Sequence, residues 1–311
     1  MQRHHGLNFL APFPLGEPCS TGSQADVVVR VGATKPVGTS PPGPVVADLR
    51  VGDRALYTVY RSAEGYLVRA HGTCEFRVDR DATSVVCEPG PGCTEGLVAV
   101  LVGGTVASFL LTLRGYAVLH ASAVRWRGQT LAFVGRSGKG KTTLAALCCA
   151  AGAELVSDDV VTLVHDGGGI SCFGLGRELR LREVASGIAD LFPPPGPGRR
   201  RTADERLAIA PARAAAELNP IAAVVLPCPV RDRDDVTTEV LAPSAAVAHL
   251  LGNSRVPAMV PANMQRSYFE AVADLAAAVP VVQAGVPWGP PWTTAFVPGL
   301  LGNVLGAGPG R

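Results

Sequence analysis

The chain has 311 residues, of which 47% are hydrophobic and 17% charged, with a formal net charge of +2. That is enough apolar side chain for a sizeable core in one large or two ordinary domains, and it excludes a disordered chain. It also excludes a field strong enough to gather nucleic acid or a membrane surface, so neither is expected as a partner.

Residues 1–45 hold many Pro, Gly and Ser, as in KPVGTSPPGP at 35–44, with little periodicity. An extended or loosely packed segment is expected there. Its first apolar stretch is broken by Pro12, Pro14 and Glu17, so no signal peptide is expected. From about Val46 to Glu88, the runs ALYTVYR, GYLVRAHG and CEFRVD alternate apolar with polar side chains. That period of two predicts half-buried antiparallel strands. Gly96 to Leu113, GLVAVLVGGTVASFLLTL, carries no charge and approaches the roughly 20 residues of a membrane span. It also contains Gly103, Gly104, Thr105, Ser108 and Thr112 and leads straight into a strand-like run, which favours a buried helix. Residues 46–113 therefore read as a small β-rich module ending in an apolar helix.

The segment 114–311 changes character. YAVLHASAV and TLAFVG are strand-like, TTLAALCCAAGA is helical, and ELVS is a further strand. Strand, glycine-rich loop, helix, strand is the order of a phosphate-binding unit. Beyond it lie VVTLV, a loop-rich stretch at 166–203, a strand IAAVVLP, and helices near 243–252 and 263–279. The eight cysteines, Cys19, Cys74, Cys87, Cys93, Cys148, Cys149, Cys172 and Cys228, have neither metal-ligand nor disulfide-framework spacing. Cys148 and Cys149 read as small apolar helix residues, and a reducing cytoplasm is the expected location.

Gly135, Arg136, Ser137, Gly138, Lys139, Gly140, Lys141 and Thr142 fit G-x-x-x-x-G-K-[ST], with Thr143 following. Glycines let the backbone turn its amides inward, and the helix N-terminus adds partial positive charge toward phosphate oxygens. Lys141 would reach the β- and γ-phosphates and the Thr142 hydroxyl would ligate Mg²⁺. Asp158 and Asp159 end the next strand beside this loop, where one acid can ligate the metal and the other can accept the proton of an attacking hydroxyl. His120 sits between apolar residues on a strand, a setting that suits a core histidine as well as a site residue. Arg177, Arg180 and Arg182, and Arg199 with Arg200 and Arg201, lie in or beside loops. Arg199 and Arg200 are the better candidates for phosphate or substrate contact, because a proline- and glycine-rich loop could close over substrate.

Taken together, LHASAV, LAFVGRSGKGKTTLAAL and GAELVSDDVVTL, between Leu119 and Leu163, resemble the catalytic core of HPr kinase/phosphorylase and the HPr-kinase-like proteins, some of which phosphorylate lasso peptides. Fifteen residues separate His120 from Gly135 and sixteen separate Thr142 from Asp158, as in that pattern. The resemblance implies an α/β P-loop core of the HPr kinase and phosphoenolpyruvate carboxykinase type, with ATP and Mg²⁺ as cofactors. It implies Asp158 as general base toward a serine hydroxyl, Asp159 as a Mg²⁺ ligand beside Thr142, and His120 near Asp158 and the transferring phosphate. The acceptor would be a serine of a peptide or small protein, or a small-molecule hydroxyl, and a homo-oligomer is expected from the relatives. Thr143 stands where an acidic residue is expected and the arginine-glycine signature of the reverse reaction is missing, so neither phosphorylase activity nor HPr as substrate is implied. A nucleotide-binding regulatory module without phosphoryl transfer is the alternative reading.

Overall fold

The computed structural model describes residues 1–19, 24–174, 176–214, 216–231, 234–255 and 264–307. It is a mixed α/β protein that divides into two compact units, the first over Met1–Tyr116 and Val256–Arg266 and the second over Ala117–Arg255 and Ser267–Arg311.

The first unit is a nine-stranded sheet. Its strands are β1 (Gln2–His4), β2 (Leu7–Leu10), β3 (Glu17–Pro18), β4 (Val27–Val31), β5 (Val45–Val51), β6 (Arg54–Arg61), β7 (Gly65–Ala70), β8 (Cys74–Asp79) and β9 (Ser84–Pro89). They lie in the order β3-β1-β2-β4-β9-β8-β7-β6-β5. The alternating runs read from the sequence are β6, β7 and β8, a meander of consecutive antiparallel strands. Residues 1–45 depart from the expectation of a loosely packed segment. They supply four paired strands, and Phe9 and Val27 have no exposed surface. Strands of two to five residues between prolines are too short for their alternation to show. Among the described residues of this stretch, the longest run outside any strand is 32–44.

The apolar segment forms a helix over Glu95–Leu113, long and apolar enough to cross a membrane by length and composition. Thr94 caps its start by accepting from the Leu97 amide at 3.2 Å. From Leu101 to Thr112 every residue except Gly103 is buried, and the Phe109 ring meets Tyr66 edge-on at 5.3 Å.

Arg69 and Glu75 face each other across β7 and β8, both nearly inaccessible, with Nε and Oε1 2.6 Å apart. Arg69 also donates to the Ser40 carbonyl at 2.9 Å. Removing one partner leaves a buried uncompensated charge, so Glu75→Ala should cost about 3–5 kcal/mol in denaturant unfolding. Replacing both by apolar residues of similar volume should recover most of that loss.

The second unit contains β10 (Val118–Leu119), β11 (Ala121–Trp126), β12 (Gln129–Val134), β13 (Glu154–Ser157), β14 (Val161–His165), β15 (Ile170–Phe173), β16 (Leu179–Leu181), β17 (Gly198–Arg201), β18 (Leu207–Ala210), β19 (Leu218–Val230), β20 (Thr237–Val240) and β21 (Val281–Pro287). A nine-stranded sheet runs β10-β14-β15-β19-β12-β11-β13, with β21 on the far half of β19 and β20 on β21. The strands β12, β19 and β21 are parallel, and β11 runs antiparallel between β12 and β13. Central strands bury both faces, which is why TLAFVG and IAAVVLP read as continuous apolar runs. The helix Lys141–Ala150 packs Leu144, Leu147 and Cys148 into a core with Leu131, Phe133, Val225, Leu179, Ile188 and Leu301. Cys148 and Cys149 are buried free thiols, the apolar role expected of them.

The stretch 166–203, expected to be loop-rich, contains β15, β16, β17 and a 3₁₀ segment over Glu183–Leu191. The expected helices are Pro243–Leu251 and Gln265–Ala278, and residue 263 lies outside the described residues.

Candidate phosphate and acid-pair site

The loop 135–140 leaves the carboxyl end of β12 and turns into the helix Lys141–Ala150. Gly138 and Gly140 have φ of +84° and +83°, the left-handed region in which a side chain is strained. The Lys139 amide donates to the Arg136 carbonyl at 3.1 Å, which closes the turn. Gly140 occupies the cap position and no side chain caps the helix. The first amides of the helix have no intrahelical acceptors and carry the positive end of its dipole. Arg136, Ser137, Gly138 and Lys139 are exposed, whereas Gly135 is buried.

Lys141 folds back under the loop, 6% exposed, and donates from Nζ to the Arg136 carbonyl at 3.2 Å. Burial pulls its ammonium down to about 8, against the opposite pull of Asp159 and Asp158. A lysine held below its free value favours the folded state less when protonated, so its contribution to stability improves as pH rises from about 8 toward 10.5. An anion on the loop would reverse the shift. Near pH 8, binding of inorganic tripolyphosphate should therefore take up a proton, visible as a calorimetric heat that changes with buffer ionisation enthalpy. Affinity should fall above pH 8, by up to tenfold per unit.

The two acids face different company. Asp158 Oδ1 accepts from Thr142 Oγ1 at 2.8 Å and from Ser122 Oγ at 2.6 Å, while its Oδ2 accepts from the Arg180 amide at 3.2 Å. Asp159 has φ +69°, a conformation that Asp tolerates better than most residues and that costs on the order of 1 kcal/mol. That turn aims its carboxylate away from Thr142. Its Oδ2 accepts from Arg255 at 2.8 Å and Arg180 at 3.4 Å, and its Oδ1 lies 3.2 Å from His120 Nδ1. Burial alone would push this carboxyl up, but Arg255, His120 and Arg180 together hold it well below the usual range. Burial lowers His120, outweighing the opposite pull of Asp159. Its Nδ1 lies off the line of a full hydrogen bond to the carboxylate.

The structure thus brings together the loop, Lys141, Thr142, both acids and His120. Thr143 follows in the first helical turn, half-buried. It pairs Thr142 with Asp158, whereas the expected metal pair was Thr142 with Asp159. Arg199 and Arg200 are elsewhere: on the exposed β17 they pair with Asp190 at 2.9 Å and Glu178 at 2.6 Å. Among the described residues no hydrogen bond or ion pair joins either to the loop or the acids.

Other arginines take that place. Arg180 borders both acids, Arg182 donates to Ser137 Oγ at 3.2 Å, and Arg255 reaches Asp159 from the segment after Pro243–Leu251. That segment is fastened to β10: Arg255 donates its amide to the Val118 carbonyl at 2.8 Å, and the His120 amide donates to Asn253 at 2.9 Å. Ser122 and Arg255 were not singled out in the sequence. Read as one strand, VLHASAV would put Ser122 two residues from His120 on the same face, but His120 itself lies in the bend between β10 and β11.

Oxygen donors from Thr142 and Asp158, adjacent and converging, are the hard ligand set that suits Mg²⁺. Lys141, Arg180, Arg182 and Arg255 outnumber the two acids around them, so the surroundings suit an anion.

No protein-family model matches the chain, and no curated protein matches it in sequence. Among solved structures, that of the Hpr(Ser) kinase/phosphatase from Coxiella burnetii matches 60% of this chain and 88% of its own, at 11% identity and a TM-score of 0.29. A likeness that slight carries no argument about the chemistry.

Proposed function

We propose that loop 135–142 holds the polyphosphate of ATP with Mg²⁺, and that the protein transfers the terminal phosphoryl group to a hydroxyl. The observation that carries this reading is the hydrogen bond of Thr142 to Asp158 at the mouth of the glycine loop, with Lys141 buried beneath. The bond joins the hydroxyl and the carboxylate that a phosphate-bound Mg²⁺ needs. When bound, the metal would neutralise charge on the β- and γ-phosphates.

The division of labour follows from the neighbours of each acid. Asp158, surrounded by hydroxyl and amide donors, is a metal ligand with Thr142. Asp159, surrounded by cations, would repel a metal and instead faces the acceptor. Arriving phosphoryl oxygens compete with Asp159 for Arg180 and Arg255. As the guanidiniums turn to the phosphate, the carboxylate loses the charges that depress it and becomes a better base. The acceptor oxygen then bonds to the γ-phosphorus, its proton passes to Asp159, and the bond to the bridging oxygen breaks with its electron pair leaving on ADP. His120, 3.2 Å from Asp159 Oδ1, would stay beside the carboxylate as the guanidiniums leave it.

The acceptor is proposed as a serine of a peptide or small protein. The test incubates the full chain with Mg²⁺ and ATP labelled at the γ-phosphate, together with serine peptides or small polyols, using Lys141→Met as control. Label on the peptide with wild type alone supports the reading, and label on the polyol alone would make it a small-molecule kinase. ATP binding with no product in any mixture would sink phosphoryl transfer and leave a nucleotide sensor.

A further inference from the structure

The strand β21 lies two places from β12 in the sheet and parallel to it, so both open their carboxyl ends on the same edge. In register, Phe133 aligns with Val225 and Val225 with Val282. β12 ends one residue after Phe133, while β21 continues to Pro287. The overhang of about four residues, near 13 Å, makes a wall beside the glycine loop. At the end of that wall Trp288 returns to the loop. A Cβ built on Gly140 would collide with the outer atoms of the Trp288 ring, so indole and loop are in direct apposition. Trp292 meets Trp288 edge to face, with centroids 5.4 Å apart and planes at 82°. Trp292 in turn lies 3.8 Å from where a Cβ of Gly187 would stand, which seats it on the 3₁₀ segment Glu183–Leu191. Both rings are half-buried, each packed on the core along part of its surface with the rest open.

A large aromatic surface kept partly open at the rim of a phosphate loop is costly to leave wet and has one obvious use. Ligands of open α/β sheets bind outside the carboxyl ends of the strands. The six-membered end of the indole touches the loop at Gly140, while the ring is rooted at the end of the β21 wall, so it reaches outward from the phosphate loop. The geometry points to Trp288, braced by Trp292, as the stacking platform for the purine base of a nucleoside triphosphate whose phosphates occupy loop 135–142. This rests on the polyphosphate reading of that loop and adds to it the part of the ligand that inorganic phosphate lacks. Stacking recognises a π-face rather than an edge pattern, so ATP and GTP should bind within a few-fold of each other.

The experiment titrates Mg²⁺-ATP and Mg²⁺-tripolyphosphate into the full chain by calorimetry, with indole fluorescence recorded alongside, for wild type, Trp288→Ala and Trp288→Phe. Wild type should bind ATP about tenfold more tightly than tripolyphosphate. Trp288→Ala should bring ATP down to the tripolyphosphate level while leaving tripolyphosphate unchanged, and Trp288→Phe should retain most of the difference. ATP should quench wild-type fluorescence where tripolyphosphate does not. An ATP advantage that survives Trp288→Ala overturns the platform, as does equal weakening of both ligands, the mark of a ring that only props the loop. Tripolyphosphate bound with ATP no better overturns the platform alone, whereas neither ligand bound overturns the phosphate site beneath it.

Discussion

Asp159→Asn should slow phosphoryl transfer by about 10²–10⁴-fold, the usual effect of removing a base, with Mg²⁺-ATP affinity within a few-fold of wild type. Asp158→Asn should instead raise the Mg²⁺ concentration needed for half-maximal rate, with part of the loss recovered at high metal. Thr142 donates to Asp158 at 2.8 Å, while Asp159 points at Arg255, Arg180 and His120. The carboxamide of Asp159→Asn keeps an acceptor for Arg255 but removes the charge between two guanidiniums whose side chains are only 15% and 17% exposed. Some stability will be lost with it, so rates should be measured as single turnovers normalised to folded, ATP-binding protein. Loss of transfer in Asp158→Asn that saturating Mg²⁺ does not recover, with the Mg²⁺ dependence of ATP binding unchanged, would overturn this division and restore Asp158 as the base.

Gly140→Ala should be far more damaging than Gly138→Ala, although both glycines have the same left-handed φ. A side chain at Gly138 meets nothing within 4 Å, so only the conformational cost of about 1 kcal/mol applies. At Gly140 the methyl group also runs into Trp288, and displacing a packed ring adds about 1–3 kcal/mol. In a unit of roughly 150–250 residues, each kcal/mol shifts Tm by about 2–4 °C. Gly138→Ala should therefore lower Tm by a few degrees and Gly140→Ala by about 5–15 °C in calorimetric melts. Equal shifts would mean that the ring moves aside freely.

What the sequence disclosed was what lies close together along it. The glycine loop, its strand and its helix are contiguous, so Gly135 to Thr142 and the acids that follow could be read directly. Adjacency of Asp158 and Asp159 did not reveal which carboxylate faces Thr142. That depends on one left-handed backbone turn at Asp159, which leaves no compositional trace. Arg255 was invisible for a different reason. It arrives from 96 residues away through a bridge between Leu119 and Ser254, a pairing with no periodic signal. Arg199 and Arg200 drew notice as a run of arginines in a proline- and glycine-rich stretch that could close over substrate, yet β17 turns them to surface acids. The paired strands of residues 1–45 were hidden by prolines and by their own brevity.

The long strand Leu218–Val230 has a bearing on how the protein is made. Its first residues pair with β15 and its later ones lie between β12 and β21, so it joins both halves of the sheet. A ribosome adding 5–20 residues per second reaches Val230 roughly 5–20 s after it has finished β12. Through that interval the apolar strand leading to the glycine loop lacks its parallel neighbour, and the wall with Trp288 comes later still. Chaperone demand should be concentrated in that window, and nascent chains halted before residue 281 should remain protease-sensitive at 129–150, while chains released at full length are protected there.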